Sequence, residues 1–192
     1  MDASYLTNPI ILVVDTLSSL YILAVLLRFM LQWSGASFYN PILQFLVRIT
    51  HPPLRILRRF IPPIGKIDTA SLVLVATLQM LANFATILLA KGVAVNIGAL
   101  MVLSIADLVS LLLNIFIFAV IVRGLLSWLN PGQYDSATAI LISLTEPLLS
   151  VCRKAMPDFG SVDLSPLAVL LFLQLARMVA LPPLHELAKL LG

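Results

Sequence analysis

Charge is scarce in this chain: Asp, Glu, Lys and Arg make up 11% of its 192 residues, where a soluble domain carries about 25%. That shortage excludes a solvated surface around most of the molecule. Cysteine is nearly absent. Cys152 stands alone, so neither an intramolecular disulfide nor a Cys-rich metal site can form within the chain, and the residue reads as a small apolar filler. His51 and His185 have no plausible nucleophile nearby, and there is no His/Glu/Cys metal spacing and no Gly-rich phosphate loop. Neither catalysis nor a cofactor is therefore expected. A basic N-terminal region is missing too, since Met1-Asp2-Ala3-Ser4 opens on an acid, so the first apolar stretch is expected to stay as a helix rather than be cleaved.

What the chain has instead is apolar sequence, 60% hydrophobic residues with a mean hydropathy of +1.05. A bilayer core takes about 20 apolar residues per helix, and four such runs fit: Ile10 to Trp33, Thr69 to Ala90, Ile97 to Trp128 and Leu164 to Leu181. Runs this long without two-residue alternation exclude a barrel, so the expected fold is an all-α membrane protein with four transmembrane helices. Lys91-Gly92 is the clear break between the second and third spans, which are expected to form a tight hairpin.

The stretch from Phe38 to Pro63 is neither span nor ordinary loop. Asn40-Pro41 is a helix start, with Asn as N-cap and Pro in the first turn, and Ile42, Phe45, Leu46 and Ile49 follow at helical spacing. A second short piece is expected after Pro52-Pro53, with Leu54, Leu57, Phe60 and Ile61 opposed to Arg55, Arg58 and Arg59. Both read as interfacial amphipathic helices, with Phe45, Leu46, Leu57 and Phe60 directed into the membrane and the arginines toward phosphates.

Shifting the chain by 95 positions, the offset from Arg28 to Arg123, brings Trp33 onto Trp128, Tyr39 onto Tyr134, Thr50 onto Thr145 and Pro52 onto Pro147. The same diagonal continues without a gap through Arg58 and Arg153, Pro62 and Pro157, Gly65 and Gly160, Asp68 and Asp163, and Gln79 and Gln174. Shared Leu-richness cannot produce matches of these residue types, so the unit of span, amphipathic connector and span occurs twice, in residues 1–90 and 91–192. Two spans per unit give both copies the same orientation, and a pseudo-two-fold along the membrane normal is expected to relate them. The formal charge of +3 does not indicate nucleic acid, because the basic residues gather beside the membrane. Arg48, Arg55, Arg58, Arg59, Lys66, Arg153 and Lys154 lie in the connectors, against Lys91 and Lys189 on the other side. The connectors are therefore expected in the cytoplasm and both termini outside.

The residues that carry the repeat are Arg28-x4-Trp33, Phe38-Tyr39-Asn40-Pro41, Thr50-His51-Pro52, Leu57-Arg58-Arg59-Phe60-Ile61-Pro62 and Gly65-Lys66-Ile67-Asp68. With Arg123-Gly124-Leu125-Leu126-Ser127-Trp128, Glu146-Pro147, Arg153-Lys154 and Gly160-Ser161-Val162-Asp163 in the second copy, they resemble the YggT family of bacterial membrane proteins. The resemblance implies a four-span protein of the bacterial inner membrane, associated in bacteria with osmotic stress tolerance. Plastid relatives are linked to cytochrome complex assembly and nucleoid distribution. It implies no reaction and no ligand. The second copy has Ser143, Glu146 and Ser150 where the first has Arg48, His51 and Arg55.

Three groups of residues are candidates for a site. Arg28 and Arg123 lie five residues before a Trp, about 7–8 Å inside the boundary at 1.5 Å per residue, and are expected to pair with Asp68 or Asp163, which also read as helix caps. Asp15, Asp107 and Arg177 lack counterparts across the repeat and are read as an outward charge cluster, structural or ion-binding. Arg48, Arg55, Arg58, Arg59, Arg153 and Lys154 form a lipid-facing basic patch. The expected partners are anionic lipids, with a second membrane protein or a further copy of the chain as alternatives. The function these features favour is a non-enzymatic scaffold or assembly factor. The alternative is a transporter or channel component, whose polar path would draw on Thr77, Gln79, Asn83 and Thr86 with Asp107, Ser110 and Asn114.

Overall fold

The computed structural model describes residues 4–65, 67–91, 96–129, 135–155 and 164–192. Among them are six helices: α1 (Ser4–Trp33), α2 (Pro41–Phe60), α3 (Thr69–Lys91), α4 (Ile97–Leu129), α5 (Ser136–Ala155) and α6 (Ser165–Leu191). Four contain stretches long and apolar enough to cross a membrane, Pro9–Trp33, Thr69–Ala90, Ile97–Leu126 and Ser165–Leu191. Most of their surface is exposed in the isolated chain, with Leu12, Phe118, Leu167 and Phe172 standing out into what is lipid around a spanning helix. Lys66, Gly92, Tyr134, Pro157, Gly160 and Asp163, and the Trp128 side chain, lie outside the described residues.

Within the first copy α1 packs on α3, and within the second α4 packs on α6; the copies join through α3 and α4. The buried interior runs along these seams through Val25, Leu26, Ala70, Leu74 and Val75, and through Ala119, Val120, Val169 and Leu173. Between the copies α1 touches α4 and α2 touches α5, contacts that a two-fold maps onto themselves, but α3–α4 and α1–α5 lack the counterparts α6–α1 and α4–α2. The contacts expected of a pseudo-two-fold are thus found in part, with α6 not brought against α1. Helices α3 and α4 are consecutive in the chain, whereas α1 and α6 are the first and last of the described elements.

Helix α2 begins as its sequence predicts, with Asn40 Oδ1 accepting from the Ile42 N–H at 2.9 Å and Pro41 in the first turn. It then runs unbroken through Pro52-Pro53, where two pieces are expected from the sequence. Two adjacent prolines remove the N–H donors that would have bonded the carbonyls of Arg48 and Ile49. The Tyr21 hydroxyl lies 3.5 Å from the Ile49 oxygen and meets one of these freed acceptors. Helix α6 likewise passes through Pro182-Pro183 to Leu191, longer than the span ending at Leu181 that its sequence suggests.

The buried stripe of α2 is Leu43, Leu46, Thr50 and Leu54, at spacings of three and four residues, against α1 and α3. Leu46 thus faces the protein rather than the membrane, and Leu57 also packs against the core, while Phe45, Ile56 and Phe60 are exposed. The connector is a docked helix with one face already spent on the bundle. After it, Gly65 adopts φ +60°, a conformation that favours glycine, and closes a turn in which Ile64 and Ile67 exchange backbone hydrogen bonds of 3.1 and 3.0 Å. That turn brings Asp68 back beside the end of α2.

Truncation should separate the two faces of α2. Leu54→Ala, at a fully buried position, is expected to destabilise by about 2–5 kcal/mol, and Ile56→Ala, at an exposed one, by about 0.5 kcal/mol or less. Equilibrium unfolding in mixed micelles measures both; equal effects would mean that α2 is not docked.

Candidate polar ties between the spans and the connectors

Arg28 is 4% exposed in a membrane-spanning helix and needs partners for its donors. Its Nη1 donates to Thr50 Oγ1 at 2.8 Å, with the Val47 carbonyl at 3.5 Å, and the Thr50 hydroxyl in turn donates to the Leu46 carbonyl at 2.6 Å. Buried Nε has no partner. The second copy repeats the arrangement: Arg123 Nη1 donates to Thr145 Oγ1 at 2.8 Å, and Thr145 donates to the Leu141 carbonyl at 2.6 Å. Each span is thereby tied to its own connector helix at equivalent positions.

The expected pairing of Arg28 with Asp68 is not found. The Asp68 carboxylate is held by Arg58 at the end of α2 and by the Ser71 hydroxyl at 2.6 Å. The turn at Gly65 delivers Asp68 to the last turn of α2, and Arg28 bonds the Thr50 hydroxyl instead. Burial alone would raise the Asp68 pKa, but the Arg58 guanidinium and the Ser71 hydroxyl and N–H outweigh it, and the carboxyl titrates below its ordinary range. The cap role read for Asp68 survives in those Ser71 bonds. The corresponding Asp163 lies outside the described residues, and Arg123 instead meets Glu146 at 2.7 Å. Glu146 also accepts from Arg153 at 3.1 Å; the hydrogen bond from Arg123 lowers its pKa despite partial burial, with Arg153 adding to the effect.

These pairs shrink the basic patch. Arg58 and Arg153 are committed to carboxylates, whereas Arg48, Arg55 and Arg59 on α2, and Lys154 on α5, are exposed. Beside Arg48 lies an open cavity of about 450 Å³ lined by Phe38, Gln44, Val47, Arg48 and His51.

The three outward charges do not form a cluster. Asp107 of α4 accepts from Asn83 Nδ2 at 2.8 Å and Gln79 Nε2 at 3.3 Å on α3, and Asn83 also reaches Ser104 Oγ at 3.2 Å. This polar group sits in the join between the copies. Asp15 and Arg177 are on α1 and α6, which do not touch, and neither has a partner among the described residues. Among the described residues no group of three or more His, Cys, Asp or Glu could hold a metal. Thr50 and Thr145 are paired across the repeat in the sequence but were not read as site residues, and Ser71 and Ser104 were not noted. The two threonines lay on the repeat diagonal, which was signal enough to find them; Ser71 and Ser104 had no such mark.

The arrangement defines a four-span membrane protein in which a unit of span, docked connector helix and span occurs twice. The chain belongs to the CCB3/YggT family, whose model matches it twice, at residues 7–89 and 102–184. A protein of Pseudomonas aeruginosa is 43% identical over 97% of this chain and 94% of its own length. The YggT protein of Escherichia coli K12 is 36% identical over 89% of this chain and 88% of its own. A Vibrio alginolyticus protein is 34% identical over 90% and 93% respectively. No solved structure matches the chain.

The two ties differ in what backs them up. Thr50→Val removes the side-chain acceptor that Arg28 has among the described residues and should cost about 1.5–3 kcal/mol, the range for a hydrogen bond to a charged group. Thr145→Val leaves Arg123 with Glu146 and should cost less; unfolding of the two variants side by side in the same micelles decides it. Acid should also weaken the fold. A carboxyl whose folded pKa lies below its unfolded value contributes stability that is complete above the unfolded pKa, about 4, and is lost as pH falls through the folded one. Thermal unfolding between pH 6 and pH 2 should show that loss in the wild type and a shallower one in Asp68→Asn; parallel profiles would remove the Arg58–Asp68 pair from the account.

Proposed function

We propose that the protein is a non-enzymatic scaffold or assembly factor of the bacterial inner membrane, linked to osmotic stress tolerance, that works from its connector helices. The carrying observation is the division of α2 into a docked face and a free basic face. Leu43, Leu46, Thr50 and Leu54 fix the helix to the bundle, and Arg48, Arg55 and Arg59 remain exposed beside exposed Phe45, Ile56 and Phe60. A rigid helix of this kind, at the level where Arg28 meets Thr50, offers cations and apolar anchors to anionic headgroups or to a protein at the cytoplasmic leaflet. The cavity beside Arg48 has a mostly apolar wall with Phe38 and Val47, and Gln44, Arg48 and His51 complete its lining, which suits an apolar group carried next to a polar one. The cytoplasmic placing of the connectors, with both termini outside, rests on the excess of Lys and Arg in them.

A second reading, a transporter or channel component for ions or osmolytes, draws on one feature, the Asp107, Asn83, Gln79 and Ser104 group at the join between the copies. A carboxylate at that depth is costly and by default suggests function. Ion or solute flux into vesicles holding purified protein separates the readings. Crosslinked partners recovered from native membranes without flux support the scaffold; flux without partners supports transport.

Removing the free cations gives the sharper test. Arg48, Arg55 and Arg59 changed together to Gln should lower retention of anionic relative to zwitterionic lipid, read by native mass spectrometry of the purified protein. About 1 kcal/mol per charge makes the expected loss about a hundredfold. Unchanged lipid preference would remove the basic face from the proposed role.

A further inference from the structure

The join between the copies uses two surfaces that the chain contains twice and employs once. On α3 the surface turned to α4 carries Gln79 and Asn83; on α4 the surface turned to α3 carries Ser104 and Asp107. At the repeat offset these become Gln174 and Met178 on α6, and Pro9 and Leu12 on α1. All four are exposed, Met178 at 66% and Leu12 at 68%, because α6 and α1 do not meet. A head-to-tail join of this kind leaves one unused half at each end of the row.

Each open face carries one charge without a partner. Asp15 is exposed on α1, three residues from Leu12 and four from Ser19, which are also exposed; on its other side lie half-buried Ile11 and Ser18. Arg177 is half-buried on α6, between Leu173 in the packed seam and exposed Gln174. Both lie within membrane-spanning stretches, and neither makes a hydrogen bond or ion pair among the described residues. Charges in that setting are costly unless paired.

The geometry points to a homodimer in which α1 of each chain packs on α6 of the other, repeating the α3–α4 join, with Asp15 of one chain paired to Arg177 of its partner twice over. The two helices cross the membrane in opposite senses. If the α3–α4 packing is repeated, Leu12 stands level with Gln174 as Asp107 stands level with Gln79. Asp15 is then one turn to one side of that level and Arg177 one turn to the other. Side chains on a helix lean toward its N-terminus, and in antiparallel neighbours placed this way the carboxylate and the guanidinium lean toward each other. A second copy is the occupant because it supplies both complementary faces and both opposite charges in equal number. One two-fold closes both ends of the row.

The test uses a variant in which the single cysteine, Cys152, is replaced by Ala, with Leu12→Cys and Gln174→Cys added at exposed positions of the two faces. In lipid vesicles a short bifunctional maleimide should link the double-cysteine chain into a dimer and leave each single-cysteine chain monomeric. Asp15→Arg should weaken dimerisation by about tenfold, measured by fluorescence transfer on dilution in lipid, and Asp15→Arg with Arg177→Asp should restore it. A chain that stays monomeric in vesicles overturns the proposal. So does equal linking of the single-cysteine chains, or a charge swap that restores nothing.

Discussion

An arginine inside a membrane span has five donors and little water, and where those donors find acceptors decides what packs against the span. Arg28 finds Thr50 on a connector helix, and the connector is held against α1 and α3 at that point. The threonine already donates to the Leu46 carbonyl, so its free lone pairs face the guanidinium and the bond is set before the helix docks. An amphipathic helix lacking this tie would be anchored by its apolar face alone and free to slide in the interface. Here its depth and rotation are fixed to those of a span.

The second copy keeps the tie and changes its surroundings. Glu146, in the place of His51, bridges Arg123 and Arg153, whereas Arg28 has no carboxylate of its own and Asp68 serves Arg58. The free cations diverge with it: Arg48 and Arg55 on α2 correspond to Ser143 and Ser150 on α5. The duplicated unit therefore conserves its internal fastening and differs on its outer face, with the basic surface concentrated in the first copy. The copies are also bound to each other outside the bilayer spans, since Asn40 Nδ2 donates to the Ser136 carbonyl at 2.7 Å, linking the starts of α2 and α5.

Much of this was legible in the sequence, and the remainder failed for physical reasons. The spans were readable because hydrocarbon demands long apolar helices, and the start of α2 because Asn40 and Pro41 are local signals. The repeat was readable from self-similarity alone. The continuity of α2 through Pro52-Pro53 was not, because a lost N–H is tolerated when distant groups such as Tyr21 meet the freed carbonyls. The partner of Arg28 was misread because two acceptors were in range. Charge favoured Asp68, while the tight turn at Gly65 gave that carboxylate to Arg58. That α3 meets α4 while α6 does not meet α1 could not be read from a repeat at all, since equal units alone do not fix which of their faces pack together.

In both copies an arginine and a threonine hold the connector to its span. A double-mutant cycle with Arg28→Met and Thr50→Val, read by reversible unfolding in mixed micelles, isolates that interaction from the packing around it. The expected coupling is about 1.5–3 kcal/mol, as for a buried hydrogen bond to a charged group. Additive effects of the two changes, with no coupling between them, would contradict it.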